Sequence, residues 1–521
     1  MMTTSAESRD GRRLYPALAY NPVTLLGVAA ALFGVAAIVI FYLLNALQSH
    51  SNPYLGIFLF LVFPGVLVFG LALIPIGMWL ERRRLARGST RPVVVDLGDP
   101  RHRNAAITFV AGTCVFLLLT TIGLYETYHY TESVSFCGEV CHAVMEPEHT
   151  TYQTSPHAEV KCVACHIGSG ADWYVKSKLS GARQVVKALL NEYPQPIPTP
   201  VKNLRPAQDT CEQCHWPEKF TEPKVVTLDR YLGDEKNSPW RIRMLMNVGG
   251  QSTSRGHASG IHWHIDDANR ISYVASDSSR QSFDRVAWRR GDEWIVYTMD
   301  SVALSDSFLE TRRALGLERT MDCMDCHNRP AHHFESPQDG VDEALRSGRL
   351  DASIPWIKRD AVAALSREYA TSGEAHESIA AALQASDVAS GTPDSRRIAA
   401  AAAVQEIYDG SMFPHMRARW DRYPDHNGHA IFPGCFRCHG SRLATADGQT
   451  ISADCNLCHR IVAQGPPDAL EESPSFEGLE FRHPVDISGA ENVLACFNCH
   501  AGDTTVMASR WIGEEPAPSS H

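Results

Sequence analysis

The stretch CFRCHGSRLATADGQTISADCNLCH, residues 435–459, holds two Cys-x-x-Cys-His units whose first cysteines lie 20 residues apart. A tetrahedral zinc site uses paired cysteines but makes no demand for histidine at the position straight after the second one. Covalent haem attachment does. Each cysteine forms a thioether with one haem side group, and the adjoining histidine ligates the iron.

Working outward, the chain carries seven such units. The first, Cys137 and Cys141 with His142, has three residues between its cysteines. Six have two: Cys162/Cys165/His166, Cys211/Cys214/His215, Cys323/Cys326/His327, Cys435/Cys438/His439, Cys455/Cys458/His459 and Cys496/Cys499/His500. Chance composition gives about 0.02 matches to the two-spaced pattern, against six found. The units therefore point to seven covalently bound haem c groups. Their spacing, from 20 residues to 112, excludes a regular solenoid repeat.

Fourteen of the 15 cysteines are used in this way, which leaves Cys114 in an apolar run and no pair for a disulfide framework. Cys114 is expected to be a small buried hydrophobe. The formal charge of -11, to which haem propionates would add, argues against nucleic-acid binding. Much of the interior of a 521-residue chain with this many haems is expected to be porphyrin.

Residues 23–47, 55–80 and 105–125 are each apolar enough, and long enough as helices, to cross a hydrocarbon layer of about 30 Å. Pro64 and Pro75 are expected to kink or shorten the second. Arg9, Arg12 and Arg13 precede the first run. Arg82, Arg83, Arg84, Arg87, Arg91, Arg101 and Arg103 separate the second from the third, while QSHSNPY carries no Lys or Arg. The positive-inside rule then puts the N-terminus and arginine loop in the cytoplasm and everything past residue 125 in the periplasm. That is also where c-type haem attachment is expected, so the chain reads as a multi-pass protein of a bacterial inner membrane. The first run reads as a retained anchor.

The expected fold is three transmembrane α-helices plus a periplasmic multihaem region, mostly α and loop with a small β insertion. Five segments follow: a membrane domain, 1–125; a three-haem domain, 126–230; a β-rich insertion, 231–310; a one-haem and helical region, 311–430; and a three-haem C-terminal region, 431–521. RIRMLMNV, RISYVAS and EWIVYTM alternate as strands. ADWYVKSKLSGARQVVKALLNEY has helical spacing, with Lys176, Lys178, Arg183 and Lys187 beside an apolar set; it suits a membrane surface or a plain surface helix. PQPIPTP after it should run extended. Residues 341–410 read as helices that space or cover the haem lobes, and the tail GEEPAPSSH as disordered.

Seven motif histidines supply one face of each iron, and a second axial ligand decides what that iron does. His157, His262, His264, His332, His429 and His483 are the candidate distal ligands, by their sequence settings. In GIHWHID, strand geometry would point His262 and His264 to one face. His257, His333, His415 and His426 are reserves, and a structural histidine is the alternative for any one of them. Met145 follows the first unit and is a candidate for its iron; a gap-filling core methionine and competition from His149 are the alternatives.

The succession of a membrane helix, then FCGEVCHAVMEPEHTTYQTSPHAEVKCVACH, then KSKLSGARQ and CEQCHWPEKF, resembles the NapC/NirT family of membrane-anchored quinol-oxidising cytochromes over roughly residues 105–220. With three spans and seven haem units, the whole chain looks most like the inner-membrane heptahaem cytochromes of metal-reducing bacteria. The resemblance implies that (mena)quinol is oxidised near the first haem, protons leave to the periplasm, and electrons pass singly along the haems to periplasmic c-type cytochromes, in anaerobic or extracellular respiration. It also implies a methionine, a lysine and an acidic residue at the quinol pocket. Met145 stands three positions after His142 where the family pattern has two. Lys176 or Lys178 takes the lysine place. The acidic place falls near Arg183 or Gln184, neither of them acidic, so Gln184 is the candidate polar group, with Glu192 and Asp172 as substitutes. The expected partners are the membrane quinol pool, periplasmic c-type cytochromes and the lipid bilayer; homo- and hetero-oligomers both stay open. A terminal reductase of a small oxyanion, with one open haem, and a non-catalytic electron-transfer subunit of a larger membrane complex are the competing functions.

Overall fold

The structure is a computed structural model, which describes residues 17–47, 62–86, 96–140, 142–167, 171–199, 206–216, 222–249, 260–299, 304–384 and 392–500. Arg9, Arg12, Arg13, Arg87, Arg91, Cys141, His257, the QSHSNPY loop, the start of the second apolar run and the C-terminal tail lie outside the described residues. The chain divides into two compact units, Met1–His142 and Ala143–His521.

The first unit holds three helices long and apolar enough to span a membrane: α1 (Pro22–Leu47), α2 (Phe63–Ala86) and α3 (Pro100–Thr131). Pro22 opens α1 where no intrahelical N–H is needed, and Asn21 Oδ1 accepts from Thr24 N–H at 2.9 Å. Pro64 likewise sits in the first turn of α2, and Pro75 lies inside the helix without ending it. α1 packs along α2 at close range: a Cβ added at Gly70 would stand 2.5 Å from Ala31 N and 2.8 Å from Gly27 O. Only a residue without a side chain permits that approach, which is how apolar helices gain contact when no water drives them together. The Arg83 guanidinium lies 3.8 Å from the Trp79 ring centre at the end of α2, a pairing suited to a membrane–water boundary. α3 starts at Pro100 behind Asp99, whose side chain accepts from Arg101 N–H at 2.8 Å. It buries no residue, and Ile107, Phe109, Val110, Leu117, Leu118 and Leu124 are exposed along it. Cys114 is exposed there too, which corrects the expectation of burial: a helix with an apolar outer surface has no need to hide a thiol in a core.

The second unit begins with α4 (His142–Gln153) and α5 (Ala171–Leu189) and then turns to sheet. β1 (Lys224–Tyr231), β2 (Pro239–Met246), β9 (His459–Gly465) and β10 (Glu471–Glu472) form one antiparallel sheet in that order. β3 (Ile271–Ala275), β4 (Phe283–Arg290), β5 (Glu293–Met299), β6 (Glu318–Thr320), β7 (Gly440–Ala444) and β8 (Thr450–Ile451) form the other, in the order β6-β3-β4-β5-β7-β8. The β-rich stretch is therefore no self-contained insertion. Both sheets are completed by strands from the last ninety residues, Met299 opposite Leu443 in one and Arg243 opposite Ala463 in the other.

Four helices make the main apolar core: α6 (Pro337–Arg346), α7 (Ile357–Ser366), α8 (Ser372–Gln384) and α9 (Asp394–Ser411). Val341, Leu345, Leu365, Ile379, Val404 and Ile407 interlock within it. A smaller core, with Ile271, Tyr273, Phe283, Val286 and Leu443, lies on the six-stranded sheet, and Trp263 and Cys438 pack against it.

Candidate functional site: paired imidazoles on short helical turns

Each described two-spaced unit closes a single helical turn. His215 N–H donates to Cys211 O at 2.8 Å, His327 N–H to Cys323 O at 2.8 Å, His439 N–H to Cys435 O at 3.1 Å, and His500 N–H to Cys496 O at 3.0 Å. One turn brings both sulfurs and the imidazole to one side, as a doubly tethered, axially ligated ring requires. At the fourth unit Asp322 and Asp325 cap the turn reciprocally. Strands β7 and β9 leave directly from the fifth and sixth units, so His439 and His459 are held at strand ends.

The second cysteines of the turns are not all enclosed by protein. Cys165 is half-buried, and Cys214 and Cys499 are exposed. Cys214 N–H donates to Cys211 O and Cys499 N–H to Cys496 O, each at 3.1 Å. Cys165 lies in the five-residue helix Cys162–His166, which buries no residue at all. Cys438, by contrast, packs against the smaller core.

The distal candidates meet these turns pair by pair. Ring centres lie 6.0 Å apart for His157 and His215, 6.2 Å for His166 and His332, and 6.5 Å for His262 and His327. They lie 5.8 Å apart for His264 and His439, 6.1 Å for His429 and His459, and 6.1 Å for His483 and His500. Two imidazoles sharing one iron stand about 6 Å apart, from about 2 Å per metal–nitrogen bond plus the distance from ring nitrogen to ring centre on each side. Among the described residues no cluster of three or more His, Cys, Asp or Glu side chains gathers as a bare metal site would need. The donor set fits a planar macrocycle that supplies four equatorial ligands of its own.

Tautomers are fixed from outside. The Nδ1–H of His157 donates to Pro330 O at 2.9 Å, that of His332 to Glu148 O at 2.9 Å, that of His264 to Ile261 O at 2.7 Å and that of His483 to Val485 O at 2.7 Å. His262 turns its Nδ1 to the carbonyls of Val248 and Gly249 at 3.2 and 3.3 Å. Nε2 is thereby left as the free donor. Burial pulls His262, His264, His429, His459 and His500 below the usual imidazole range, and His332 to about 4, so the neutral form that a metal ligand requires is favoured at these rings.

His262 and His264 lie on a short 3₁₀ turn, Ile261–Ile265, which corrects the strand expectation. At three residues per turn, positions two apart diverge by about 120° in place of sharing a face. That is how neighbours in GIHWHID reach two different haem units. Gly260 enters the turn at φ 70°, where any Cβ would run into Asn247 O.

These features are matched by similarity to known proteins. The NapC/NirT cytochrome c family, N-terminal region, matches residues 100–197. The cytochrome c-type protein ImcH of Geobacter sulfurreducens is 41% identical over 491 residues, covering 92% of this chain and 95% of the relative. No solved structure matches. This chain belongs to the NapC/NirT family of c-type cytochromes.

As a NapC/NirT cytochrome it is a membrane-anchored electron-transport protein with covalently bound haem c. The family's quinol-pocket candidates lie on or beside α5. Lys176 is exposed, 5.4 Å from the Trp173 ring centre; Lys178 is half-buried; Gln184 is exposed and donates to Ser180 Oγ at 3.3 Å. Trp173, Val175, Leu179, Val185 and Val186 are exposed on the same helix. Met145 is half-buried on α4, and His149 on the same helix has its Nε2 3.4 Å from Gln153 Nε2. The side chain of His142 lies outside the described residues. The described reserve histidines are engaged elsewhere: His333 with Asp425, His415 with Glu146, and His426 with Asp325 O.

Sequence reading did not single out Trp263 or Phe436. Trp263 pins the His262–His264 turn to the six-stranded sheet, with its ring 5.1 Å from that of Trp288. Phe436 lies inside the fifth unit and covers the ring of His429 at 4.7 Å. An aromatic residue within each histidine-bearing motif was the available signal.

Proposed function

We propose that this NapC/NirT cytochrome is a heptahaem quinol dehydrogenase of the bacterial inner membrane, with its haem region in the periplasm, delivering electrons to periplasmic c-type cytochromes. The six imidazole pairs carry the reading. His166 with His332, His215 with His157, His327 with His262, His439 with His264, His459 with His429 and His500 with His483 each hold one iron from both sides; Cys137, Cys141 and His142 attach the seventh haem, with Met145 as its second ligand. Cys165, Cys214 and Cys499 supply the second thioether of the second, third and seventh units. Bound haem supplies one-electron iron chemistry at each such site. The relative's printed name, a c-type cytochrome protein, accords with this.

The third and fourth units adjoin, with Cys211 beside Cys323. Phe436 joins the fifth unit to the sixth. A terminal reductase needs an open iron, and the six pairs leave none from the second unit to the seventh.

At α5, oxidation of one quinol gives one quinone, two protons and two electrons. Lys176 and Lys178 offer ammonium groups to the quinol oxygen as negative charge grows on it, and Gln184 orients the departing proton toward water. The exposed apolar residues between these cations suit a lipid-dissolved substrate. The competing role for the lysines is to hold lipid phosphates. The test is the Lys176→Ala/Lys178→Ala double variant, with haem content measured by mass spectrometry. Seven attached haems with quinol oxidation reduced at least a hundredfold is the expected result; normal turnover removes the lysines from the site.

A further inference from the structure

The six pairs differ in what lies behind their rings. In the His264–His439 pair both Nδ1 atoms are bonded to main-chain carbonyls, His264 to Ile261 O at 2.7 Å and His439 to Ser452 O at 2.6 Å. In the His429–His459 pair both Nδ1 atoms are buried without a hydrogen-bond partner. Phe436 covers that ring with an apolar face, 4.7 Å between centres. Each of the other distal histidines, His157, His262, His332 and His483, has a carbonyl behind Nδ1.

A hydrogen bond from Nδ1–H to a carbonyl raises the electron density at Nε2, makes the imidazole a stronger donor, and stabilises ferric over ferrous iron. Two such bonds lower the potential of the iron they flank, and two missing ones raise it. Resting on the ligand pairing proposed above, we propose that the His429–His459 pair holds the most oxidising of the six paired irons, and that the adjoining His264–His439 pair holds a markedly more reducing one. Arg437, in the turn of the fifth unit, works against this order because a nearby cation favours ferrous iron. Its guanidinium donates to three carbonyls, those of Gly434, Arg280 and Asp325. Both axial bonds act on the iron directly, so they set the sign. One electron shared between the two irons rests on the sixth unit: reduction there is oxidation at the fifth, with no proton or third reactant. The pair thus favours the electron's movement from the fifth unit to the sixth.

Ring planes give each pair a signature in the unmodified protein. The planes of His429 and His459 lie 21° apart and those of His264 and His439 71° apart. Near-parallel imidazoles give a rhombic low-spin EPR signal, and near-perpendicular ones a signal with a large g maximum. In a reductive titration of the full-length protein followed by EPR, a rhombic signal should be lost first among these two types. The His262–His327 planes, at 17°, give the same type, so a variant must assign it. Phe436→Gln, which puts a polar amide beside the His429 ring, should move that first component to lower potential, while Phe436→Leu leaves it in place. Loss of a large-g signal first, or a titration unmoved by Phe436→Gln, overturns the order. His429→Ala separates the two layers of argument. If the reduced variant resists carbon monoxide as the parent does, the ligand pairing itself fails; if it admits carbon monoxide at one haem while the order is reversed in the parent, only the present inference falls.

Discussion

His332 shows how much one side chain decides. Its Nδ1 is tied to Glu148 O and its ring faces His166 on the second unit, so His332→Ala should leave one iron open. The reduced parent is expected to take up carbon monoxide at none of the six paired haems, and the variant at one, read by the shift of about a sixth of their absorbance. Met145→Ala should alter the spectrum and potential of a single haem, and unchanged spectra would rule Met145 out. His426 belongs to no pair. It is buried, donates to Asp325 O at 3.1 Å, and burial pulls it to about 2. Its folded pKa lies below the unfolded value, so its neutral form supports stability above pH 6.5 and that support is lost as pH falls and the unfolded chain takes up the proton. From neutrality to pH 5 this costs about 2 kcal/mol. His426→Gln should flatten the parent's decline in melting temperature over that interval. At this scale the sequence offered the six distal candidates, and each stands about 6 Å from a motif histidine. Their partners were hidden, because His157 precedes the second unit yet faces the third, and His332 follows the fourth yet faces the second. Hidden too was the exposure of Cys214 and Cys499, since a motif states which sulfurs are used and not how much protein surrounds them.

Among elements, the turn that carries His262 and His264 was misread as a strand, since alternating Ile, Trp and Ile mimics a strand pattern. What overrides the pattern is tertiary: Gly260 at positive φ, and Trp263 seated on Trp288, force a tight turn. Trp263→Ala should loosen both neighbouring ligands, shifting two haem components where loss of one ligand shifts one. The α1–α2 contact was equally invisible, because nothing in an apolar run marks which glycine faces a partner. Gly70→Leu drives a side chain into Ala31 and Gly27 and should cost about 2 kcal/mol or more, seen as loss of the protein from the membrane fraction. Helix α5 was legible throughout, its spacing and its cations being read directly from the residues.

Across the molecule, a buried charge cluster ties the helical core to the strands. Arg230 on β1 pairs with Asp339 and Asp342 on α6, and Lys358 on α7 pairs with Asp342 and donates to Gln338 O at 2.9 Å. Gln338 in turn donates to His500 O at 3.1 Å, so the same cluster reaches the seventh unit. Lys358→Ala leaves Asp342 with one cation and should cost about 3 kcal/mol, measurable as a lower melting temperature with all haems retained. Such long-range ties could not be read in advance, and neither could the sheet partners of residues 224–299, which lie more than a hundred residues downstream. That late closure has a consequence for biogenesis. β2 and β5 present unpaired edges until β9 and β7 arrive, and those strands emerge from the very motifs the haem-ligating machinery must handle. Synthesis must therefore deliver nearly the whole polypeptide before either sheet can shut. A chain cut short near residue 430 would be left with two sticky borders and a fate of aggregation, however well its earlier haems were installed.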